Sequence, residues 1–137
     1  MRAVLDPNVL ISAVISRNGA PAQLVDRWRT GQFELIVSAE LLAELARALA
    51  YPTLVARIPP DRAAGYVSML GRRAVLAPDP PDPVPRSTDP TDDYLLALAE
   101  AQRAVLVSGD RHLLSLAERL PVVSPRDFLN RLDAGPT

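Results

Sequence analysis

Cysteine and lysine are both absent from this chain. Without cysteine the protein has no disulfide, no thiolate metal site and no cysteine nucleophile, which is compatible with a reducing cytoplasm. Without lysine it can use neither a phosphate-binding P-loop nor Schiff-base chemistry. All fifteen basic residues are therefore arginines, which we attribute first to genomic base composition.

Aromatic residues are scarce, at 4% of the chain, and the formal net charge at pH 7 is only -1. The low aromatic content gives no sign of base recognition by stacking. The net charge excludes the overall basic field of a sequence-independent nucleic-acid binder. The sequence has no run of roughly 20 apolar residues that would cross a bilayer, and its start lacks the apolar stretch of a signal peptide. We therefore expect a soluble, cytoplasmic protein that meets any nucleic acid through local contacts.

The chain length suits one domain, which we expect over residues 1–130, with a short C-terminal tail over 131–137. Short β-branched segments alternate with segments of helical period, which indicates an α/β fold with βα units around a parallel sheet. Strands are expected at 2–5, 35–37, 74–76, 104–107 and 122–123, and helices at 20–30, 39–50, 60–69, 90–102, 113–119 and from Ser124 onward. The segment 77–90 holds six of the fourteen prolines and should form a stiff surface loop.

Two aspartates follow strands in this pattern, Asp6 directly after the first and Asp110 shortly after the fourth. Ligands of open parallel sheets bind at the carboxyl ends of strands, so both carboxylates should face one crevice. Either aspartate alone would equally well begin a turn or cap the next segment. Asn8 is expected to orient Asp6 or a loop carbonyl, and Ser108 to donate its hydroxyl to a carboxylate or a phosphate.

Further acidic candidates come from two helices. Glu44 lies at the edge of the apolar stripe of its helix and can face the same crevice, although an isolated glutamate there would ordinarily be solvated. Asp92 and Asp93 fall in the first turn of the helix that Asp89 caps, where stabilisation of the helix N-terminus would account for them equally well. We take Asp92 as the third acid of the site and Asp93 as its alternate.

Several carboxylates crowded into one crevice repel one another unless a divalent cation offsets their charge. The positions of Asp6, Glu44, Asp92 and Asp110 therefore predict a Mg²⁺ or Mn²⁺ site, and such a site suits phosphodiester chemistry. All four acids are expected to be catalytic, with Asp6, Asp92 and Asp110 as the metal ligands. His112, the lone histidine, is more often structural at such a position than a general base.

Three segments resemble the PIN domain family, particularly its VapC-like toxins: VLDPNVLISA at 4–13, DPTDD at 89–93 and VSGDRHLL at 107–114. The resemblance implies a three-layer α/β/α sandwich around a short parallel sheet. It also implies Mg²⁺- or Mn²⁺-dependent ribonuclease activity, with Asp6, Glu44, Asp92 and Asp110 at the family's acidic positions. Pro7 stands where the family usually has Thr or Ser, a departure that either weakens metal binding or only restrains the loop.

A toxin of this type would act on RNA, would have a cognate antitoxin that inserts a helix or an arginine into the crevice, and would form a homodimer through its early helices. Arg17, Arg86 and Arg111 are candidates for contact with the RNA backbone, although surface arginines ordinarily only solubilise a protein. One alternative is a non-catalytic PIN-like module that binds RNA or protein. Another is a phosphotransferase with Asp6 as nucleophile, against which Asn8 stands where a second aspartate is expected.

Overall fold

A five-stranded parallel sheet forms the centre of the protein, whose computed structural model describes residues 1–81, 83–85 and 92–135. The strands are β1 (Arg2–Leu5), β2 (Glu34–Val37), β3 (Val75–Leu76), β4 (Val105–Val107) and β5 (Val122–Val123). Ala3, Val4 and Leu5 are all fully buried. Because consecutive strand residues point to opposite faces of a sheet, this burial means that both faces are covered, as in the expected α/β/α sandwich.

The helices that join and cover these strands account for most of the remaining described residues. They are α1 (Pro7–Ile15), α2 (Ala20–Arg29), α3 (Ala39–Leu49), α4 (Pro52–Val55), α5 (Pro60–Arg73), α6 (Asp93–Ala101), α7 (Arg111–Leu114) and α8 (Pro125–Ala134). α1 packs against α2 and α3, α3 against α5, α2 against α8, and α6 lies against β1 and β4. Within the described ranges, none of the helices combines the length and hydrophobicity needed to cross a bilayer.

Local sequence signals set several of these helix boundaries. Ser38 begins α3 by accepting a hydrogen bond from the backbone N–H of Leu41 at 3.2 Å, and Ser124 begins α8 in the same way. These hydroxyls satisfy backbone donors that have no partner inside the helix. Gly31 follows α2 with a positive φ of 81°, a conformation that glycine adopts without steric cost.

The strand order is β3-β2-β1-β4-β5. The second and third strands are added on one side of β1, and the fourth and fifth are added on its other side, so the order reverses between β1 and β4. At such a point the connections leave the two neighbouring strands toward opposite sides, and a crevice opens beyond their carboxyl ends. The register pairs Leu5 with Val107, and the N–H of Asp6 donates to the carbonyl of Val107 at 3.0 Å. The fold thus brings the residues that follow β1 and β4 side by side.

The structure differs from the expectations at some boundaries. α1 was not expected, and the helix predicted at 113–119 is replaced by α7, which begins two residues earlier and ends at Leu114. Beyond α7 several backbone bonds join residues three apart, such as Ala117 N–H to the Leu114 carbonyl at 3.1 Å, which is turn geometry. α8 continues to Ala134, into the segment that we assigned to the tail. Asp89 and Pro90 lie outside the described residues.

Candidate active site

Asp6 occupies the first position after β1 and is 5% exposed. It also caps α1, because its Oδ1 accepts the backbone N–H of Asn8 at 2.9 Å. Its other oxygen, Oδ2, accepts the hydroxyl of Ser108 at 2.8 Å. The backbone N–H of Asn8 therefore orients Asp6, and a role for the Asn8 side chain stays a prediction.

Ser108 joins the two strand-terminal aspartates. Its side chain is fully buried, and while its hydroxyl donates to Asp6, its Oγ accepts the backbone N–H of Asp110 at 3.0 Å. Asp110 is half-buried and caps α7 by accepting the N–H of His112 on Oδ1 at 2.7 Å. One serine thus fixes the position of Asp110 relative to Asp6.

The carboxyl of Asp6 has a raised pKa. Burial is the largest cause, the hydrogen bonds from Asn8 and Ser108 oppose it, and the charge of Asp110 adds to it. Burial and a neighbouring negative charge both disfavour the ionised form. A cation bound beside Asp6 and Asp110 would stabilise the ionised carboxylates against both effects. The electrostatic environment of Asp6 therefore favours a bound cation.

A second acid beside the sheet is held by a tyrosine. The hydroxyl of Tyr94 donates to Oε2 of Glu44, and Tyr94 is 6% exposed. The pKa of Tyr94 is raised by burial first, then by the hydrogen bond and charge of Glu44, and finally by the charges of Glu40 and Asp6. Tyr94 therefore remains a donor at neutral pH, and it lies within the electrostatic field of both Glu44 and Asp6.

Tyr94 was missed by the sequence reasoning, because an aromatic residue ahead of the apolar run Leu95-Leu96 has the pattern of ordinary core. The position of Tyr94 next to Asp93, at the start of a helix whose acids are already site candidates, is the sequence feature that could have indicated it. Glu44 is half-buried at the edge of the stripe formed by Leu41, Leu45 and Leu49, and its place in one crevice with the strand-terminal aspartates stays a prediction.

The start of α6 supplies two more acids. Asp92 is half-buried at the N-cap position, and Asp93, the first residue of the helix, is 5% exposed. Both make contacts within the protein. Asp93, the alternate candidate, thus shares the burial of Asp6 and adjoins Tyr94, whereas Asp92, the first choice, is more open. Which of them is the third acid stays a prediction.

Comparison with known proteins places this arrangement in a family. The model of the PIN domain matches residues 2–112. The chain belongs to the PIN domain family. An uncharacterized protein of Methanocaldococcus jannaschii is 22% identical over 143 aligned positions, which cover 97% of this chain and 92% of the relative.

Solved structures share the PIN fold with this chain. The protein PAE2754 of Pyrobaculum aerophilum superposes with a TM-score of 0.69 at 21% identity, covering 98% of this chain and 90% of that one. VapBC-1 of nontypeable Haemophilus influenzae gives a TM-score of 0.64 at 16% identity, with coverage of 92% and 99%. VapBC2 of Rickettsia felis, solved bound to a DNA fragment from its promoter, gives 0.63 at 12% identity, with coverage of 90% and 98%. The expected α/β PIN fold is thereby confirmed.

Pro7, the departure from the PIN pattern, is accommodated by the local structure. It is the first residue of α1, a position at which the backbone N–H would have no partner within the helix and at which the fixed φ of proline suits helix geometry. The N–H that holds Asp6 comes from Asn8 instead. Pro7 therefore restrains the start of a helix and not a loop, and its effect on metal binding stays a prediction.

The fit of a divalent ion rests on the Asp6 and Asp110 pair. Across residues 1–81, 83–85 and 92–135, no group of three or more Asp, Glu, His or Cys side chains is arranged to hold a metal ion. Mg²⁺, however, keeps several waters and is typically bound by one or two carboxylates together with substrate phosphate oxygens. The Asp6 carboxylate and Asp110, whose backbone Ser108 ties to that carboxylate, fit that donor set, and the full set of Asp6, Asp92 and Asp110 stays a prediction.

Asp110 borders a cavity of about 330 Å³ and is the one acid among its lining residues within the described part of the chain. Asn8, Ser12, Pro21, Gly109 and Pro125 also line it, so its walls come from α1, α2, the turn after β4 and the start of α8. Asn8 and Gly109 are exposed. We call this cavity the acidic crevice. Its position beyond the carboxyl ends of β1 and β4 is the one that the strand order favours for a ligand.

Proposed function

We propose that this PIN protein is a Mg²⁺- or Mn²⁺-dependent endoribonuclease whose metal site is centred on Asp6 and Asp110. The observation that carries the proposal is the bridge made by Ser108, which bonds one carboxylate and the backbone of the other at the reversal point of the sheet. The membership in the PIN family and the raised pKa of Asp6 support it.

The proposed reaction is hydrolysis of an RNA phosphodiester by water. The water oxygen forms the new bond to phosphorus, the bond to the leaving ribose oxygen breaks, and the proton of the water passes to solvent or to the leaving oxygen. A divalent ion, when bound, supplies a water that is a nucleophile at neutral pH and offsets the charge of the attacked phosphate. Asp6 and Asp110 would hold that charge in place, and Ser108 ties the Asp6 carboxylate to the backbone of Asp110.

Glu44 and Tyr94 are proposed to complete the site from the side of α3 and α6. Tyr94 fixes the carboxylate of Glu44 by a hydrogen bond, so that one Glu44 oxygen stays available to a water or a ribose hydroxyl. Asp93 or Asp92 would add a further negative group at the start of α6. His112 has an exposed side chain and takes part through its backbone N–H, so no role as a base is assigned to it.

A place in a toxin-antitoxin pair is proposed from the likeness to the VapBC proteins of Rickettsia felis and Haemophilus influenzae. An antitoxin would bind by placing a cationic side chain, such as arginine, at the acidic crevice, where it would offset the same two carboxylates as a metal. Metal and antitoxin would then compete. Addition of Mg²⁺ should weaken the complex in wild type, and Asp110→Asn should weaken both metal and antitoxin binding.

A homodimer is proposed through an apolar groove of about 490 Å³ between α3, α4 and α5, lined by Leu49, Val55, Ala63 and Val67 among others. Val55 is 36% exposed. A second copy that covers the groove would remove this apolar surface from water. Val55→Asp should convert the dimer to a monomer in sedimentation experiments, and a wild type that sediments as a monomer would contradict the proposed interface.

Cleavage of a mixed RNA panel tests the proposed activity. Purified wild type is incubated with Mg²⁺, Mn²⁺ or EDTA, beside Asp6→Asn, Asp110→Asn and the control Asp61→Asn, an exposed acid at the start of α5. We expect cleavage that EDTA and the two site variants abolish and the control retains. Since water is the nucleophile, a 2′-deoxy substitution at the cut position should still be cleaved.

The opposite result would favour the alternative function. If folded wild type binds RNA but cuts no faster than Asp110→Asn on any substrate of the panel, the protein is a non-catalytic PIN-like binding module. If a covalent phosphoenzyme forms on Asp6, the phosphotransferase alternative gains instead.

A further inference from the structure

A second cavity, of about 430 Å³, lies between α1, α2 and α5. Its floor is apolar and is formed by alanine and valine side chains of α1 and α2. Its charged wall consists of Arg17, Arg29 and Arg62, with Asp26 as the one acid among its lining residues. We call it the arginine pocket. Three cations against one anion leave a local charge of two positive units in a chain whose net charge is -1.

The three arginines of this pocket are not committed to other partners. In the part of the chain that the structure describes, none of them forms an ion pair with a carboxylate, in contrast with Arg2, which pairs with Glu34 at 3.1 Å, and Arg27, which pairs with Asp133 at 2.6 Å. All three are exposed. Their guanidinium groups are therefore available to an anion from outside.

Tyr66 gives this pocket a fixed wall. Its hydroxyl donates to the carbonyl of Leu10 at 2.8 Å, which sets the orientation of the ring. Burial raises the pKa of Tyr66, and the charge of Arg29 partly opposes that shift, so the guanidinium group of Arg29 lies near the tyrosine. The pocket thus combines an oriented aromatic ring, an apolar floor and a cationic wall, which are the elements that hold a nucleotide.

The arginine pocket is the neighbour of the acidic crevice. Ser12 and Pro21 line the crevice, while the next residues, Ala13 and Ala22, line the pocket. Both cavities therefore share α1 and α2 as walls. With a rise of 1.5 Å per residue, Val14 of the pocket lies about 12 Å along α1 from Asp6, a distance that a few nucleotides of single-stranded RNA span.

We infer that the arginine pocket binds backbone phosphates of the RNA strand a few nucleotides from the cleaved bond. The inference rests on the proposed ribonuclease function. The planar guanidinium group matches phosphate oxygens in a bidentate manner, and binding of this kind tolerates many sequences. The pocket also supplies the local attraction that the overall charge does not, because the carboxylate of Asp110 in the crevice, with Asp6 nearby, repels a polyanion unless basic side chains offset it.

Paired charge-neutralising variants test this inference. Binding of a fluorescent single-stranded RNA of about 12 nucleotides is measured by anisotropy in EDTA, where the strand stays intact. Arg29→Gln with Arg62→Gln removes two charges from the pocket. The control, Arg47→Gln with Arg57→Gln, removes two exposed charges outside it. Both double variants are checked for folding by circular dichroism and thermal unfolding.

The pocket variant should bind about tenfold more weakly than wild type at 0.1 M salt, whereas the control should change about twofold or less. The slope of log K against log salt should also fall by about 0.7 for each phosphate contact that is lost. Equal effects in the two double variants, or no RNA binding by wild type, would overturn the inference.

A parallel cleavage assay in Mg²⁺ keeps the two claims separate. If wild type cuts RNA and Asp110→Asn does not, while the pocket variant binds like the control, the ribonuclease stands and the pocket inference is wrong. If the pocket variant loses RNA binding but Asp110→Asn still cuts like wild type, the pocket stands and the proposed metal site is wrong.

Discussion

Replacement of Ser108 by alanine should disturb stability and acidity together, because this one hydroxyl serves both aspartates. Ser108→Ala removes the bond of 2.8 Å to the Asp6 carboxylate and leaves the Asp110 N–H without its acceptor at 3.0 Å. A hydrogen bond to a charged group contributes about 1.5–3 kcal/mol, and the site is buried, so we expect a loss of about 2 kcal/mol in the free energy of unfolding. The pKa of Asp6 should rise, since the lost bond favoured the ionised form.

Urea unfolding and the pH profile of cleavage measure these two effects of Ser108→Ala. The acidic limb of the profile should move to higher pH, because Asp6 must be ionised to hold a cation. Ser16→Ala, at an exposed serine that follows α1, is the control and should change neither quantity. A Ser108→Ala protein with wild-type stability and an unmoved acidic limb would refute the bridge as the element that organises the site.

Further predictions concern charge, metal and the acids of α6. Burial raises the pKa of Asp6, so the folded protein binds a proton at Asp6 more tightly than the unfolded chain does. The stability that this proton adds is fully present below about pH 4 and is lost as pH rises through the pKa of the folded state. Asp6→Asn should therefore be more resistant to urea than wild type near neutral pH in EDTA, with the difference vanishing below about pH 4. Mg²⁺ at about 100 times its Kd should stabilise wild type by about 2.7 kcal/mol in thermal unfolding and leave Asp6→Asn unchanged. Tyr94→Phe frees the Glu44 carboxylate and should lower kcat about tenfold, with a loss of about 1 kcal/mol in the free energy of unfolding. If the variant keeps the kcat of the wild type, the hydrogen bond has no part in catalysis. Asp93→Asn should reduce cleavage about tenfold more than Asp92→Asn, because Asp93 is the more buried acid. The reverse order would restore Asp92 as the third acid.

The acids at the ends of β1 and β4 were accessible from sequence because strand and acid are adjacent in the chain. An apolar run followed by Asp6, and another followed by Ser108-Gly109-Asp110, predict a shared edge once the sheet is taken as parallel. The bridge itself was anticipated only in part, since the Ser108 hydroxyl was assigned to a carboxylate or a phosphate. Its role toward Asp110 depends on a backbone N–H that no side-chain pattern reveals.

Other features could not be derived from local pattern. α1 is rich in apolar and β-branched residues, with Val9, Leu10 and Ile11 all buried, so its short polar stripe of Asn8 and Ser12 does not distinguish a helix from a strand. The bond between Tyr94 and Glu44 joins residues 50 positions apart, and only the packing of α6 near α3 brings them together. Long-range pairs of this kind require the tertiary structure.

The most direct test of the central claim is a Mn²⁺ titration of the purified protein followed by electron paramagnetic resonance. Wild type should show saturable binding that Mg²⁺ displaces, Asp6→Asn and Asp110→Asn should bind at least about tenfold more weakly, and Asp61→Asn should bind like wild type. Equal Mn²⁺ affinity in wild type and both site variants, or no binding to wild type, would contradict a metal site centred on Asp6 and Asp110.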